Sequence, residues 1–171
     1  MKALVFGVDP DPSEAADAAA WTPAGAAPNQ LLQNLAVTPM RLIEVDDARP
    51  LRPDWIVTRP RLAGICGSDS KMALLDFGEE DTDNAMAGLC TFPQVMGHEV
   101  VTEVVALGPE ADGVEIGQRM VLNPWLSCAP RGITPACPSC AAGDFSLCHN
   151  FTAGSISTGL HTGLSSDATG G

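Results

Sequence analysis

The chain has 171 residues, of which 45% are hydrophobic and 18% are charged, and its formal net charge at pH 7 is −12. This length suits one domain with a buried core, and the scarcity of basic residues argues against a nucleic-acid-binding face, which needs clustered Lys and Arg. No stretch approaches the roughly 20 apolar residues of a membrane span, and Asp9 and Pro10 interrupt the first apolar run too early for a secretory signal. We therefore expect a cytoplasmic protein with no membrane or nucleic-acid partner, in which clustered cysteines favour metal or redox chemistry over disulfides.

The first part of the chain predicts strands separated by an insertion. Residues 2–6 (KALVF) are predicted to form the opening strand, whereas residues 13–34, rich in Ala and Pro and without regular periodicity, predict a surface insertion. Two more strands are predicted at 40–45 (MRLIEV) and 54–65 (DWIVTRPRLAGI). Because Pro60 cannot donate a ladder hydrogen bond, the second of these is expected to bend or to lie at a sheet edge.

A short helix and an acidic loop come next. Residues 68–78 (SDSKMALLDFG) predict a helix that Ser68 or Asp69 caps and that ends at Gly78. The following residues, 78–94, contain four carboxylates and no regular pattern, which indicates a loop.

Strands return in the second half, at 99–108 (EVVTEVVALG) and 118–125 (QRMVLNPW). Short strands, Gly/Pro turns and little helix predict a mainly β fold with short helices, an irregular β-barrel. No glycine-rich G-x-G-x-x-G turn follows a strand, so we expect no Rossmann domain within this chain.

Four cysteines cluster in 21 residues near the C-terminal end. Cys137 and Cys140 form a C-x2-C pair, Cys148 follows after seven residues, and Cys128 is the natural fourth ligand if residues 129–136 (APRGITPA) form a loop. Four thiolates in a tetrahedron make a closed structural zinc site with no position for substrate. A thioredoxin-like redox pair, disulfides and unliganded thiols remain as alternatives, although the strand–helix context of a redox pair is absent.

A second, sparser set consists of Cys66, which lies between a predicted strand and a predicted helix, and His98, at the start of a later strand. A catalytic zinc typically takes three protein ligands and leaves one position open, and these two residues would supply two of them.

The order of four motifs resembles one enzyme family. The stretches GICGSD, GHE and GPEADGVEIGQRMV, followed by the cysteine cluster, are similar to the N-terminal catalytic domain of the zinc-dependent medium-chain alcohol dehydrogenases. The similarity covers roughly residues 50–163 and the opening strand. It implies a GroES-like fold over residues 1–171, incomplete at the C-terminus, with a structural-zinc lobe at 126–150.

The resemblance also implies roles for individual residues. Cys66 and His98 match ligands of the catalytic zinc, and Glu99 matches a carboxylate that can exchange onto it. Ser68 matches the hydroxyl that passes the alcohol proton outward, and Asp69 matches the carboxylate that orients the ligand histidine. The structural zinc would be bound by four residues: Cys128, Cys137, Cys140 and Cys148.

For the complete protein, the resemblance implies NAD(P)-linked interconversion of an alcohol or polyol with its aldehyde or ketone. It implies two Zn²⁺ per subunit, NAD or NADP bound mainly by a further domain, and a homodimer or homotetramer. The third catalytic ligand and the cofactor domain are expected beyond Gly171, and the chain as given is expected to be inactive alone.

Three departures from the family pattern concern single positions. Lys71 stands where the family commonly has a histidine, and Thr102 stands where it often has a glycine. Cys128 lies nine residues before Cys137 instead of three, and Thr134, a poor zinc ligand, holds the usual place. We therefore expect an insertion in this loop.

Three other functions are considered for this sequence. A non-enzymatic GroES-like domain would bind only the structural zinc, with the Cys66–His98 pair never completing a site. A relative of the quinone or enoyl reductases is the second, but those proteins usually lack both zinc motifs. A barrel that assembles a cofactor without dehydrogenase activity is a remote third.

Overall fold

The structure is a computed structural model that describes residues 1–9, 38–74, 91–160 and 162–163. The predicted insertion at 13–34, the predicted helix stop at Gly78 and most of the acidic loop lie outside these residues. The elements in chain order are β1 Lys2–Phe6, β2 Met40–Glu44, β3 Ile56–Ala63, α1 Gly67–Ala73, β4 Gln94–Val95, β5 Val100–Leu107, β6 Arg119–Val121, α2 Pro138–Ala141 and a 3-10 turn, Phe145–Leu147.

Within the described ranges, the strands form two antiparallel sheets of three. The first has the order β2-β1-β4, with Lys2 opposite Glu44 and Phe6 opposite both Met40 and Gln94. Its buried face contributes Phe6 to a small core with Met72 of α1 and Met96. This sheet therefore anchors helix α1 and the chain that leads to His98.

The second sheet has the order β3-β5-β6. Along β5, Val100, Thr102 and Val104 are buried and alternate with less buried residues, the period of two that a strand with one core face requires. Strand β3 lies at the edge, and its register shifts just after Pro60. The prediction for this proline is therefore confirmed, since an edge strand does not need its missing N–H.

The start of the helix was predicted wrongly. Helix α1 begins at Gly67 and its N-cap is Cys66, whose backbone is extended, rather than Ser68 or Asp69. Asp69 occupies the third helical position, from which its carboxylate Oδ2 accepts the backbone N–H of Cys66 at 2.9 Å. A cysteine is an unusual cap, so residue preference alone pointed to the wrong position.

The predicted strands are confirmed: β1 has the predicted bounds, and the others are shorter than predicted. Strand β4 was missed because two residues cannot show a pattern. None of the helices in the described ranges is long and apolar enough to cross a membrane.

Candidate metal sites

The pairing of β3 with β5 brings two distant parts of the sequence together. In this antiparallel ladder Ala63, the last residue of β3, lies opposite Val100, the first residue of β5. The ladder extends one step further, because the N–H of Gly64 donates to the carbonyl oxygen of Glu99 at 2.8 Å. Cys66 therefore follows the end of one strand and His98 precedes the start of its neighbour, at the same end of the sheet.

At this end of the sheet the sulfur of Cys66, a ring nitrogen of His98 and a carboxylate oxygen of Glu99 all lie within 4.8 Å of one another. Cys66 and His98 are partly buried, and Glu99 is exposed. Three donors of this kind at this spacing fit the ligand set of a catalytic zinc, which also needs an open side. We call these three residues the open site.

Asp69 contacts both of the proposed zinc ligands. One carboxylate oxygen accepts the N–H of Cys66, and the other lies 3.5 Å from Nδ1 of His98. The His98 and Asp69 side chains are only 12% and 16% exposed. When Nδ1 carries the proton and faces this carboxylate, Nε2 presents its lone pair to a metal. One carboxylate thus fixes both the cap that holds Cys66 and the orientation of His98.

Ser68 lies on the other side of the imidazole. Its hydroxyl Oγ is 3.4 Å from Nε2 of His98, and the residue is exposed. This hydroxyl is therefore close to the nitrogen that would bind the metal and is also open to solvent. A hydroxyl can donate and accept at once, which is what a proton relay requires.

The four predicted lobe cysteines also meet: the sulfurs of Cys128, Cys137, Cys140 and Cys148 lie within 4.8 Å of one another. Zinc–sulfur bonds of about 2.3 Å in a tetrahedron put neighbouring sulfurs about 3.8 Å apart. The distance from Cys128 Sγ to Cys148 Sγ is 3.8 Å. The lobe therefore has the dimensions of a four-thiolate zinc site.

Short-range turns build this lobe. Cys137 is the N-cap of α2, Pro138 occupies its first turn, and the N–H of Ala141 donates to the Cys137 carbonyl at 2.9 Å. The loop after Cys128 closes on itself, because the N–H of Ile133 donates to the Cys128 carbonyl at 2.9 Å. The insertion thus returns the chain to the cluster, while Thr134 is exposed.

Amide groups point at the sulfurs. The N–H of Cys137 lies 3.3 Å from Cys128 Sγ, as does the side-chain amide of Asn150, and the N–H of Asn150 lies 3.4 Å from Cys148 Sγ. The first two donors lower the pKa of Cys128, and the backbone N–H groups of Cys140 and His149 lower the pKa of Cys137 to about 6. Donors of this kind stabilise thiolates, the form that binds zinc.

Burial acts in the opposite direction on the other two thiols. It raises the pKa of Cys140 to about 12 and also raises the pKa of Cys148. In the absence of a cation, four buried thiols at this distance cannot all ionise, because each thiolate disfavours the next. A dication would remove this conflict, so the chemistry of the cluster fits zinc.

Disulfides do not account for these cysteines. All five cysteines in the described ranges are free, and a bond between sulfurs would need a separation near 2.04 Å rather than the 3.8 Å between Cys128 and Cys148. Sequence reasoning missed two lobe residues, Asn150 and Arg131. Neither belongs to a spacing pattern. Only the structure shows that the Asn150 side-chain amide contacts Cys128 Sγ and that the Arg131 guanidinium is buried against backbone carbonyl oxygens.

A known domain family matches most of the chain: the profile of the alcohol dehydrogenase GroES-like domain matches residues 52–168. L-threonine 3-dehydrogenase of Pyrococcus horikoshii is 29% identical over 109 residues, which are 64% of this chain and 27% of that protein. Scyllo-inosose 3-dehydrogenase of Thermotoga maritima is 34% identical over 117 residues, which are 65% of this chain and 27% of that protein.

A solved structure agrees. Alcohol dehydrogenase TADH from Thermus sp. ATN1 superposes with a TM-score of 0.56 at 23% identity, covering 100% of this chain and 35% of that chain. At this level of identity the likeness shows the fold, and the mainly β, GroES-like fold expected from the motifs is confirmed. The chain spans 27% of the length of the two curated relatives named above.

Proposed function

Because the chain belongs to the family of alcohol dehydrogenase GroES-like domains, we propose that it is the zinc-binding catalytic domain of an NAD(P)-dependent dehydrogenase. The reaction interconverts an alcohol or polyol with its aldehyde or ketone. The two curated relatives reported above, L-threonine 3-dehydrogenase and scyllo-inosose 3-dehydrogenase, are by name dehydrogenases of small polar hydroxyl compounds, which supports a polar alcohol as the substrate class.

The observation that supports this proposal most strongly is the open site. Cys66, His98 and Glu99 offer one sulfur, one nitrogen and one oxygen within 4.8 Å, on a partly exposed end of a sheet. In the proposed arrangement Cys66 and His98 would hold zinc, and the Glu99 carboxylate would be a further, exchangeable ligand. The third permanent ligand and most nicotinamide contacts are assigned to residues outside these 171.

The residues of this chain would prepare and deprotonate the alcohol. A zinc ion held here would supply a Lewis acid that favours loss of the hydroxyl proton, and the nicotinamide would accept the hydride. Ser68 would accept the hydroxyl proton while passing its own proton on to solvent, a role supported by its exposed hydroxyl beside His98. Asp69 keeps His98 in the tautomer whose Nε2 is free to bind metal.

The lobe is proposed to hold a second, structural zinc. Its four sulfurs fill the coordination shell, so no substrate can bind there. Its part in the function is to order the chain between β6 and residue 163, which packs beside the open site through Gly97 and Gly163. Full-length assemblies are proposed to be homodimers or homotetramers.

Metal analysis of single-site variants tests the proposal. We expect two zinc ions per complete protein, one of which is lost in Cys66→Ser while the other is retained. The reverse variant, Cys137→Ser, should release the lobe zinc. If Cys66→Ser retains both zinc ions, the proposal that the open site binds zinc is contradicted. Nicotinamide reduction that depends on a polar alcohol, abolished in Cys66→Ser, tests the activity itself.

One observation favours a second candidate, a non-enzymatic domain that binds only the lobe zinc. The lobe is buried and has four ligands in the described residues, whereas the open site has three and its carboxylate is exposed. The two candidates differ in zinc count. One zinc per complete protein, unaffected by Cys66→Ser, would support the second candidate.

A further inference from the structure

Arg131 is a completely buried cation inside the loop that joins the first two lobe cysteines. Its exposed fraction is 0%. In the part of the chain that the structure describes, its guanidinium hydrogen bonds all go to backbone carbonyl oxygens, and no carboxylate forms an ion pair with it. A buried charge without a counter-charge is costly, so such residues are normally paired.

The lobe lies beside this cation. Burial lowers the pKa of Arg131, and the charges of Cys148 and Cys128 act against this shift. The guanidinium also lies in the same turn as Cys128, because its Nε donates to the carbonyl oxygen of Leu126, two residues earlier, at 3.0 Å. Among the described residues, the lobe sulfurs of Cys128 and Cys148 are therefore the negative groups that act on the Arg131 guanidinium.

The other guanidinium nitrogens hold the chain that leaves the lobe. They donate to the carbonyl oxygens of Ala153 at 3.1 Å, Ile156 at 3.4 Å and Ser157 at 3.2 Å, and to that of Gly159. We call residues 153–159 the clasped segment. The clasped segment also donates hydrogen bonds to Arg131: the N–H and the hydroxyl of Ser155 both donate to the Arg131 carbonyl oxygen, at 3.0 and 3.1 Å.

A glycine lets the two backbones come this close. At Gly154, whose φ is +91°, a Cβ would lie 2.5 Å from the Arg131 carbonyl oxygen and 2.8 Å from its Cβ. Any side chain there would strike backbone and adopt a conformation that L residues avoid. The clasp thus involves both the main chain and the side chain of Arg131.

The clasped segment leads toward the open site. Just after it, the Leu160 carbonyl accepts the N–H of Leu126 at 3.0 Å, and the N–H of Thr162 donates to the Pro124 carbonyl at 2.8 Å. A Cβ at Gly163 would lie 3.2 Å from the carbonyl oxygen of Gly97, the residue before His98. The segment held by Arg131 therefore continues into the backbone that supports a proposed zinc ligand.

We infer that Arg131 is the buried counter-charge of the four-cysteine lobe and the residue through which metal in the lobe orders the clasped segment. Zn²⁺ with four thiolates has a net charge of −2, which a buried guanidinium partly offsets. A planar fork of five N–H donors then satisfies several carbonyls at once, which an ammonium cannot do. The inference rests on the proposed lobe zinc.

Amide hydrogen exchange of the wild-type chain, with zinc and after chelation, tests the ordering without any substitution. We expect protection at Ser155 and Gly159 to fall at least about tenfold more than protection at Val104, in the centre of β5. Equal changes in the two regions would overturn the inference, because the segment would then follow the domain and not the lobe.

Substitution separates charge from shape. Chelator competition should show that Arg131→Met weakens zinc binding to the lobe by about 10–100-fold, the usual effect of removing a group that supports metal ligands. Arg131→Lys keeps the charge and should retain more affinity while still loosening the clasped segment. The matched control is Arg61→Met, which removes an exposed arginine paired with Glu103 across the β3–β5 ladder.

The outcomes distinguish this inference from the proposal beneath it. A wild-type chain that binds no zinc in the lobe overturns both. A wild-type chain that binds it, with Arg131→Met equal to Arg61→Met, overturns only the role of Arg131. If Arg131→Met does not fold, Arg131→Lys and the wild-type exchange experiment still test the inference. Unchanged hydrogen exchange of the clasped segment in Arg131→Lys would show that the planar guanidinium is not needed to order this segment.

Discussion

The lobe offers four sulfurs to a zinc ion, whereas the open site offers one sulfur, one nitrogen and one oxygen, and the two are assembled in different ways. The lobe is built from consecutive turns, with Cys128, Cys137 and Cys148 at most 8% exposed and amides aimed at its sulfurs. The open site depends on the pairing of β3 with β5, and Glu99 and Ser68 in it are exposed. Closure suits a structural metal, whereas an exposed side is what a substrate needs. The two regions should therefore respond differently to substitution.

The largest effect is expected from Cys128→Ser. Because this sulfur is fully buried and completes the tetrahedron, the variant should lose the lobe zinc and at least about 4 kcal/mol of the free energy of unfolding. Zinc content and thermal denaturation measure both effects. The control, Cys66→Ser, should spare the lobe. If zinc content and thermal stability do not change in Cys128→Ser, then Cys128 is not the fourth ligand.

The sequence was sufficient for much of the lobe because its information is local. The Cys137–Cys140 pair and the Cys148 spacing predict a structural zinc site without any knowledge of the rest of the fold. The same local information failed at the loop after Cys128. Nothing in APRGITPA shows that Arg131 turns inward, because the partners that draw it there are carbonyl oxygens of residues 153–159.

For the open site the sequence supplied candidates and a resemblance, and the fold supplied the contact. Nothing in the sequence of residues 64–66 predicts that this stretch pairs with the backbone at Glu99, because strand register depends on long-range contacts. The N-cap of helix α1 was mispredicted for the same reason, because it also depends on a long-range contact. Asp69 was expected to cap the helix at its start, but it accepts the Cys66 N–H from one turn inside because it also faces His98.

Asp69→Asn should produce the next largest effect, confined to the open site. Its amide keeps the shape but loses the charge that orients His98, so metal affinity there should fall about 10–100-fold. The N-terminal turn of α1 should also weaken, by about 1 kcal/mol. Cobalt titration of the complete protein can follow the two sites separately, and the lobe should be unchanged. Unaltered affinity at the open site would show that His98 is oriented by another group.

Gly64→Ala should have a smaller effect at the same place. A Cβ there would lie 2.9 Å from a carboxylate oxygen of Glu99 and 3.3 Å from its Cβ, so Glu99 must move. We expect a loss of about 1–2 kcal/mol in the free energy of unfolding, measured by denaturant titration. The matched control is Gly67→Ala, since no atom lies within 4 Å of the added methyl. Equal stability of the two variants would show that Glu99 relaxes freely.

The smallest effect is expected from Arg61→Met, which separates the β3–β5 ladder from its surface charges. Arg61 lies 2.8 Å from Glu103 across this ladder, but its side chain is 48% exposed. A screened surface pair contributes less than about 1 kcal/mol, so the register that holds Cys66 beside His98 should persist, as should metal affinity at the open site. Denaturant titrations at low and high salt measure the pair. A drop in open-site affinity would mean that the register depends on this ion pair, and that the open site is less securely built than its backbone hydrogen bonds indicate.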